Sequence, residues 1–219
     1  MTDEAKRWRG LYAITPDTTD DAGLLSAVDR VLRGRPVLLQ YRNKCAPPLQ
    51  RREQAQEILR RCRAAGVPLI INDDLQLALE IGADGLHGGR DDGDPAVLRA
   101  ALGRDRILGL TCYADLARAR TAVATGADYV AFGAMFPSSS KESAPPAPIS
   151  LLSAARAELS VPVVAIGGIT LENAPQLIAA GADLLAVISD VFAADQPEKR
   201  AAAYDKLFRN VLCRRRTGP

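Results

Sequence analysis

The segment Ile81-Gly-Ala-Asp-Gly-Leu86 returns twice along the chain, as Thr125-Gly-Ala-Asp-Tyr-Val130 and as Ala180-Gly-Ala-Asp-Leu-Leu185. In each copy the glycine follows a helix-like segment, and an apolar run follows the aspartate. Glycine readily adopts the left-handed backbone conformation that ends many helices, so each copy predicts the end of a helix and the start of a strand. Recurrence of one such unit predicts a fold built from repeats.

On both sides of these copies, short apolar runs alternate with longer segments rich in Ala, Leu and Arg. The runs lack strict alternation of polar and apolar residues, which is typical of parallel strands covered on both faces. The predicted strands are Leu11–Thr15, Val37–Arg42, Pro68–Asn72, Gly85–Gly88, Ile107–Thr111, Tyr129–Phe136, Val161–Gly167 and Leu184–Ser189. The predicted helices cover residues 22–34, 49–65, 75–81, 95–103, 114–125, 149–160, 171–180 and 196–210.

Eight strand and helix units in 219 residues predict an α/β protein with a single (β/α)₈ TIM barrel. An open, doubly wound sheet is the alternative. No linker or shift in composition divides the sequence, so we expect one domain over residues 1–219 with its core at about 10–210. The basic run Arg214, Arg215 and Arg216 predicts a frayed tail at the end of the chain.

Composition and charge argue against several classes of protein. The 28 Lys and Arg residues nearly balance the 26 Asp and Glu residues, for a net charge of +2, so we expect no nucleic-acid partner. The four cysteines form no C-x-x-C pair, which argues against zinc and dithiol sites. No segment predicts a membrane span or a signal peptide. We therefore expect a cytoplasmic protein with reduced thiols, and the sequence leaves open whether it forms a homo-oligomer.

Polar residues at the end of the second predicted strand are candidates for the site. Active groups of a TIM barrel lie at the carboxyl ends of its strands. Gln40, Arg42 and Lys44 are two residues apart and therefore share one face of the strand and its extension. An amide beside two cations predicts an edge that faces a phosphate. The alternative is that Arg42 and Lys44 form ordinary surface ion pairs.

Carboxylates follow the third and fourth predicted strands, in Asn72-Asp73-Asp74 and in Arg90-Asp91-Asp92. Two such carboxylates, completed by diphosphate oxygens and water, are typical of a Mg²⁺ site. Taken alone, Asp74 and Asp91 are more typical of helix caps or surface residues. His87 is the only histidine, and a lone histidine at a strand end is more typical of a hydrogen-bonded structural residue than of an acid or base.

The later strand ends carry features that suit phosphate groups. Ser138, Ser140 and Lys141 lie in the long segment Pro137–Pro148, where hydroxyls and a cation predict a mobile lid over a phosphate, although a plain linker is the alternative. Gly167-Gly168 ends the seventh strand, where glycine lets the backbone approach a ligand. In many TIM barrels a phosphate binds after strands seven and eight.

Seven motifs in this order resemble the thiamine phosphate synthase family, over about residues 10–190. They are Gln40-Tyr-Arg-Asn-Lys44, Asn72-Asp73-Asp74, Leu86-His-Gly-Gly-Arg-Asp-Asp92, Gly109-Leu-Thr111, Phe136-Pro-Ser-Ser-Ser-Lys141, Ala165-Ile-Gly-Gly-Ile169 and Ala186-Val-Ile-Ser189. The resemblance implies a Mg²⁺-dependent transferase of thiamine biosynthesis. Such an enzyme joins 4-amino-2-methyl-5-pyrimidinylmethyl diphosphate to 4-methyl-5-(2-phosphoethyl)thiazole and releases pyrophosphate and thiamine monophosphate. In that family pyrophosphate leaves first, and the thiazole nitrogen then attacks the pyrimidine carbocation.

The resemblance also implies roles for individual residues. Asp73 and Asp92 correspond to the Mg²⁺ ligands of the family. The pyrophosphate clamp would consist of Arg42, Lys44, Asn72 and Lys141, while Gln40 and Gly168 would face the pyrimidine. Residues that would hold the thiazole and its phosphate are Ser138, Ser140, Ile169, Ile188 and Ser189, and Thr111 is a further substrate-binding position where the family usually has Ser.

The sequence departs from the family pattern at several positions, of which Arg90 is the most consequential. The family usually has Gln there, Glu at Asn43, an aliphatic residue at Gly88, and Thr at Ser138 and Ser140. Arg90 is expected either to turn into the barrel mouth or to pair outward with a neighbouring aspartate. Two other functions stay open at this point: a thiazole tautomerase, which would carry histidine at Tyr113, and a catalytically silent barrel that binds phosphorylated ligands.

Overall fold

Eight parallel strands pair with their neighbours in sequence order, and the last strand pairs with the first. The computed structural model describes residues 8–137 and 146–216, with the backbone alone over 211–216. The strands are β1 (Gly10–Ile14), β2 (Leu38–Tyr41), β3 (Leu69–Asn72), β4 (Gly85–Gly88), β5 (Ile107–Tyr113), β6 (Tyr129–Phe132), β7 (Val163–Ile166) and β8 (Leu184–Val187). The helices are α1 (Asp21–Arg33), α2 (Pro48–Ala65), α3 (Leu75–Ile81), α4 (Pro95–Leu102), α5 (Leu116–Ala124), α6 (Ser150–Glu158), α7 (Ala174–Ala180), α8 (Ser189–Phe192) and α9 (Pro197–Arg216).

Closure of the sheet decides between the two predicted architectures. On one side β1 pairs with β2, where Tyr12 lies opposite Leu38. On its other side β1 pairs with β8, where Tyr12 lies opposite Ala186. An open sheet would leave two edges unpaired, so the (β/α)₈ TIM barrel is confirmed and the doubly wound alternative is excluded.

Two apolar layers account for the unbroken apolar runs of the strands. Tyr12 and Ile14 of β1 point into the barrel, where they pack with residues such as Tyr129. Leu11 and Ala13 of the same strand point outward and pack under the helices. Because both faces of each strand are buried, the sequence shows no alternation of polar and apolar residues.

The glycines of the three repeated segments end helices as predicted. Gly82 and Gly181 are the C-caps of α3 and α7, and both adopt left-handed backbone conformations. Gly126 follows the C-cap Thr125 of α5 and has a φ of 95°. A positive φ costs glycine little and most other residues considerably more, so these positions favour glycine.

The aspartates of the same segments hold neighbouring strands together at the end of the barrel opposite the site. The N–H groups of Leu69, Leu108 and Val163 donate to the carboxylates of Asp84, Asp128 and Asp183 over 2.8, 2.9 and 3.1 Å, respectively. Each aspartate directly precedes one strand, and its carboxylate accepts a backbone N–H from the start of the preceding strand. The repeat is therefore a structural device, which leaves the opposite end of the barrel for chemistry.

Several element boundaries differ from the predicted ones. β6 ends at Phe132 and β8 at Val187, because the chain after each leaves the sheet; Ser189 begins the short helix α8. The last helix continues to Arg216, beyond the predicted end at residue 210, so the basic run belongs to a helix. None of the helices in the described parts of the chain combines the length and apolar character that crossing a bilayer requires.

Candidate active site

A cavity of about 730 Å³ opens at the carboxyl ends of the strands. Its wall contains each of the predicted site residues that the structure describes. These are Gln40, Arg42, Lys44, Asn72, Asp73, Asp92, Thr111, Gly168, Ile169, Ile188 and Ser189. The predicted Ser138, Ser140 and Lys141 lie outside the described residues, as do all of residues 138–145 of the lid predicted around them.

Asp17 fixes the extension of β2 that carries the two predicted cations. The Arg42 guanidinium donates to one Asp17 oxygen over 2.8 Å, and the Lys44 backbone N–H donates to the other over 2.7 Å. The hydroxyl of Thr15, which is fully buried, both donates to the Arg42 carbonyl and accepts from its N–H. Burial alone would raise the pKa of Asp17, but the Lys44 N–H and the Arg42 guanidinium outweigh it and lower the pKa. Asp17 therefore stays charged and positions both cations; no sequence motif pointed to it.

The predicted carboxylate pair is brought together beside Lys44. Asp73 adopts a φ of 64°, a left-handed conformation that aspartate tolerates better than most residues, and its N–H donates to the His87 carbonyl over 2.8 Å. Asp92 accepts the Gly89 N–H over 2.6 Å. The Lys44 ammonium lies 3.5 Å from an Asp73 oxygen. Burial and the neighbouring Asp73 carboxylate raise the pKa of Asp92, so this pair favours binding of a further cation.

These two carboxylates fit a Mg²⁺ ion better than a transition metal. Among the described residues no group of three or more His, Cys, Asp or Glu side chains forms a metal cage. Mg²⁺ is usually held by one or two carboxylates and keeps water or phosphate oxygens as its other ligands. The set of donors at Asp73 and Asp92 matches that preference. The neighbouring Asp74 is a helix cap, as its position in the sequence predicted: it caps α3 by accepting the Leu77 N–H over 2.9 Å.

Arg90 lies at the rim of the cavity, where its guanidinium carbon is 4.7 Å from the centre of the Tyr113 ring. Arg118 holds the same region together by donating to the carbonyls of Thr111 and Gly89 over 2.9 and 3.1 Å. Among the described residues Arg90 forms no ion pair, whereas Arg42 pairs with a carboxylate. The outward pairing considered for Arg90 is therefore not observed, and its guanidinium lies over Tyr113 at the edge of the cavity.

Two glycines let the end of β7 lie close to the following chain. Gly167 and Gly168 have φ values of 102° and 61°. A Cβ atom on Gly168 would overlap the Pro137 carbonyl oxygen and the Phe136 side chain. Any larger residue would therefore displace the backbone that forms this side of the cavity, opposite the carboxylate pair.

His87 lies at the floor of the cavity and is buried. Its Nδ1 is 3.0 Å from the Tyr129 hydroxyl, and its Nε2 is 2.7 Å from Oγ1 of Thr111. Both ring nitrogens are thus occupied by hydrogen bonds. This agrees with the expectation that the lone histidine is held within the structure and does not act as a free acid or base.

Known proteins are similar to this chain over the range that contains the cavity residues. A family model described as thiamine monophosphate synthase matches residues 11–191, a range that contains every predicted site residue. A thiamine-phosphate synthase of Azoarcus sp. is 62% identical over 203 residues, which cover 93% of this chain and 98% of that relative. One of Aromatoleum aromaticum is 58% identical over 202 residues, or 92% of this chain and 97% of that relative. The solved structure of a thiamine phosphate pyrophosphorylase from Pyrococcus furiosus has a TM-score of 0.82 at 28% identity, covering 94% of this chain and 98% of that one.

Proposed function

The chain belongs to the thiamine monophosphate synthase family, and on that premise we propose how its cavity divides between the two substrates. It is a thiamine-phosphate synthase, a transferase that joins a pyrimidinylmethyl diphosphate to a thiazole phosphate. The comparisons favour this activity over the tautomerase and the silent barrel. Mg²⁺ dependence and the roles of single residues are proposals.

The proposal rests on one observation: cationic and carboxylate side chains lie together at one side of the cavity. Arg42 and Lys44 are held there by Asp17, and Asp73 and Asp92 lie beside them. The leaving diphosphate carries three to four negative charges, so such a group binds best where fixed cations and a metal oppose it. We place the diphosphate at this side, with Asn72 donating from its amide.

Asp73 and Asp92 would hold the Mg²⁺ ion. When bound there, the metal supplies positive charge opposite the departing pyrophosphate oxygens. Arg42 and Lys44 would also stabilise the departing pyrophosphate, because their hydrogen bonds strengthen as charge grows on the leaving group. The two carboxylates themselves serve as ligands, and neither is placed to act as a nucleophile.

The remaining cavity residues bind and orient the two rings. Breaking the bond from the pyrimidine methylene carbon to oxygen leaves the electron pair on pyrophosphate, and the thiazole nitrogen supplies the pair for the new bond. No side chain needs to be covalently modified in this sequence, and no general base is required. Gln40 and Gly168 are assigned to the pyrimidine; the thiazole and its phosphate are assigned to Ile169, Ile188 and Ser189. Ser138, Ser140 and Lys141 keep their proposed roles at the thiazole phosphate and the pyrophosphate.

Replacing Arg42 by glutamine tests the diphosphate placement. Arg42→Gln is expected to lower kcat by roughly 100-fold, because one charged donor to the leaving group is lost. Arg52→Gln is the matched control: Arg52 makes an exposed ion pair with Glu80 on the outer surface, and its loss should leave turnover unchanged. Initial rates of thiamine monophosphate formation measure both. A kcat for Arg42→Gln within threefold of the wild type would show that the diphosphate binds elsewhere.

Arg90 adds a cation that the family pattern lacks, and it should strengthen binding of the product. Arg90→Gln is expected to weaken pyrophosphate inhibition by roughly three- to tenfold, the range for one partly exposed charge contact. Inhibition constants should be measured at low ionic strength, where screening is weakest. An inhibition constant equal to that of the wild type would place Arg90 outside the diphosphate site.

Other properties of the chain also stay predictions. We propose a cytoplasmic enzyme that acts on small molecules without nucleic-acid partners. Cys45, Cys62 and Cys112 are free thiols, which supports a reducing compartment. Burial raises the pKa of Cys62 and of Cys112 to about 12, so these two thiols are unreactive at neutral pH.

A further inference from the structure

Gln40 and Thr111 are joined beneath the cavity by a chain of hydrogen bonds that crosses the barrel. The Gln40 amide nitrogen donates to the Tyr12 hydroxyl over 2.6 Å, and the Tyr12 and Tyr129 hydroxyls are 2.7 Å apart. The chain continues from Tyr129 through His87 to Thr111, over the two contacts described above. Five side chains from five different strands thus form one connected network.

The middle of this network is buried inside the barrel. Tyr12 and Tyr129 are 1% and 0% exposed, and burial raises the pKa of both phenols, so each keeps its hydrogen. The His87 ring lies nearly parallel to the Tyr129 ring, with centres 5.6 Å apart. A Cβ atom on Gly109 would overlap the Tyr129 ring, so the glycine at this position gives the ring its place across the barrel.

The direction of each hydrogen bond follows from the first one. Gln40 donates to the Tyr12 oxygen, so the single Tyr12 hydrogen points to Tyr129. Tyr129 accepts that bond, which leaves its own hydrogen to donate to Nδ1 of His87, 3.0 Å away. With Nδ1 accepting, the imidazole carries its hydrogen on Nε2, from which it can donate to Oγ1 of Thr111, 2.7 Å away.

The two ends of the network face the cavity with defined polarity. Gln40 and Thr111 line the cavity, whereas Tyr12 and Tyr129 do not. Because Thr111 accepts from His87, its own hydroxyl hydrogen is left to donate to a ligand. Because the Gln40 amide nitrogen is turned to Tyr12, its carbonyl oxygen is left to accept. The cavity floor therefore offers a hydroxyl donor at one end and a carbonyl acceptor at the other.

We infer that Tyr12, Tyr129 and His87 are positioning residues that fix Thr111 as a donor and Gln40 as an acceptor toward an aminopyrimidine ring. Such a ring carries acceptor nitrogens within it and donor hydrogens on its amino group, which matches this polarity. A ring with an oxo group in place of the amino group would turn an acceptor toward the Gln40 oxygen, and two facing acceptors without a hydrogen between them disfavour binding. This inference rests on the proposed placement of the pyrimidine at Gln40.

The histidine tautomer tests the direction of the network without any substrate. His87 is the only histidine, so protein labelled with ¹⁵N-histidine gives the signals of one imidazole. We expect a protonated Nε2 and an unprotonated Nδ1 in the ligand-free protein. Hydrogen on Nδ1, whether in the other tautomer or in the imidazolium, would overturn the inference. This result does not depend on where the diphosphate binds, so it stands apart from the tests of the proposed function.

Removal of one hydroxyl tests the positioning role. Tyr129→Phe should raise KM for the pyrimidine diphosphate by roughly three- to tenfold, as expected for loss of one buried hydrogen bond, and leave KM for the thiazole phosphate unchanged. Tyr41→Phe is the control, because Tyr41 donates to Gln54 on the outer side of β2. An equal rise in both KM values, or none in a folded Tyr129→Phe protein, would contradict the inference. Tyr12→Phe, which interrupts the network one bond earlier, should give the same pattern and replaces Tyr129→Phe if that variant does not fold.

Discussion

Asp73→Ala is expected to lower kcat by at least about 100-fold, since it removes one of the two carboxylates that we propose to hold Mg²⁺ opposite the leaving group. Lys44, which lies 3.5 Å from the Asp73 carboxylate, would also lose its partner. Because Asp73 has a positive φ, alanine adds backbone strain. Asp73→Asn avoids most of that strain and should show a similar loss of kcat. Comparing the two variants therefore distinguishes the effect of the lost charge from the effect of backbone strain.

The adjacent carboxylate provides the control for this experiment. Asp74 has the same chemistry as Asp73 but caps α3, and it is not among the residues that line the cavity. Asp74→Ala should lower stability by about 1 kcal/mol through loss of the N-cap and leave kcat unchanged. Steady-state rates, with thermal unfolding curves for each variant, give both quantities. Normal turnover by Asp73→Asn would contradict the assignment of Asp73 as a metal ligand.

The fold was predictable from sequence because its repeats leave local signals. Short, mostly apolar runs predicted all eight strands, and the glycines of the three repeated segments marked helix ends that the structure confirms. Strand ends were less predictable. The apolar residues after Phe132 continue the pattern of β6, yet Phe136 lies beyond the strand, because pairing with β7 ends at Phe132. Hydrophobicity alone does not predict the residue at which pairing with a neighbouring strand ends.

The site was predictable wherever its residues follow strand ends. Arg42 and Asp73 stand directly after strands, and the barrel topology brings such positions to one rim. The residues that hydrogen-bond to the candidate site from distant parts of the sequence were missed. Asp17 is 25 residues from Arg42, and Tyr12 is 117 residues from Tyr129, so their contacts appear only after the chain has folded. No motif spacing encodes a hydrogen bond across a barrel.

We propose that pyrophosphate departs from a site completed by Mg²⁺ at the Asp73 and Asp92 carboxylates. The most direct measurement is formation of thiamine monophosphate by the purified protein, first after removal of metals with EDTA and then with added Mg²⁺. We expect turnover to stop without metal, because the charge of the leaving group would then be met by side-chain cations alone, and to return fully as Mg²⁺ is restored. Turnover at the full rate in metal-free buffer would contradict the claim.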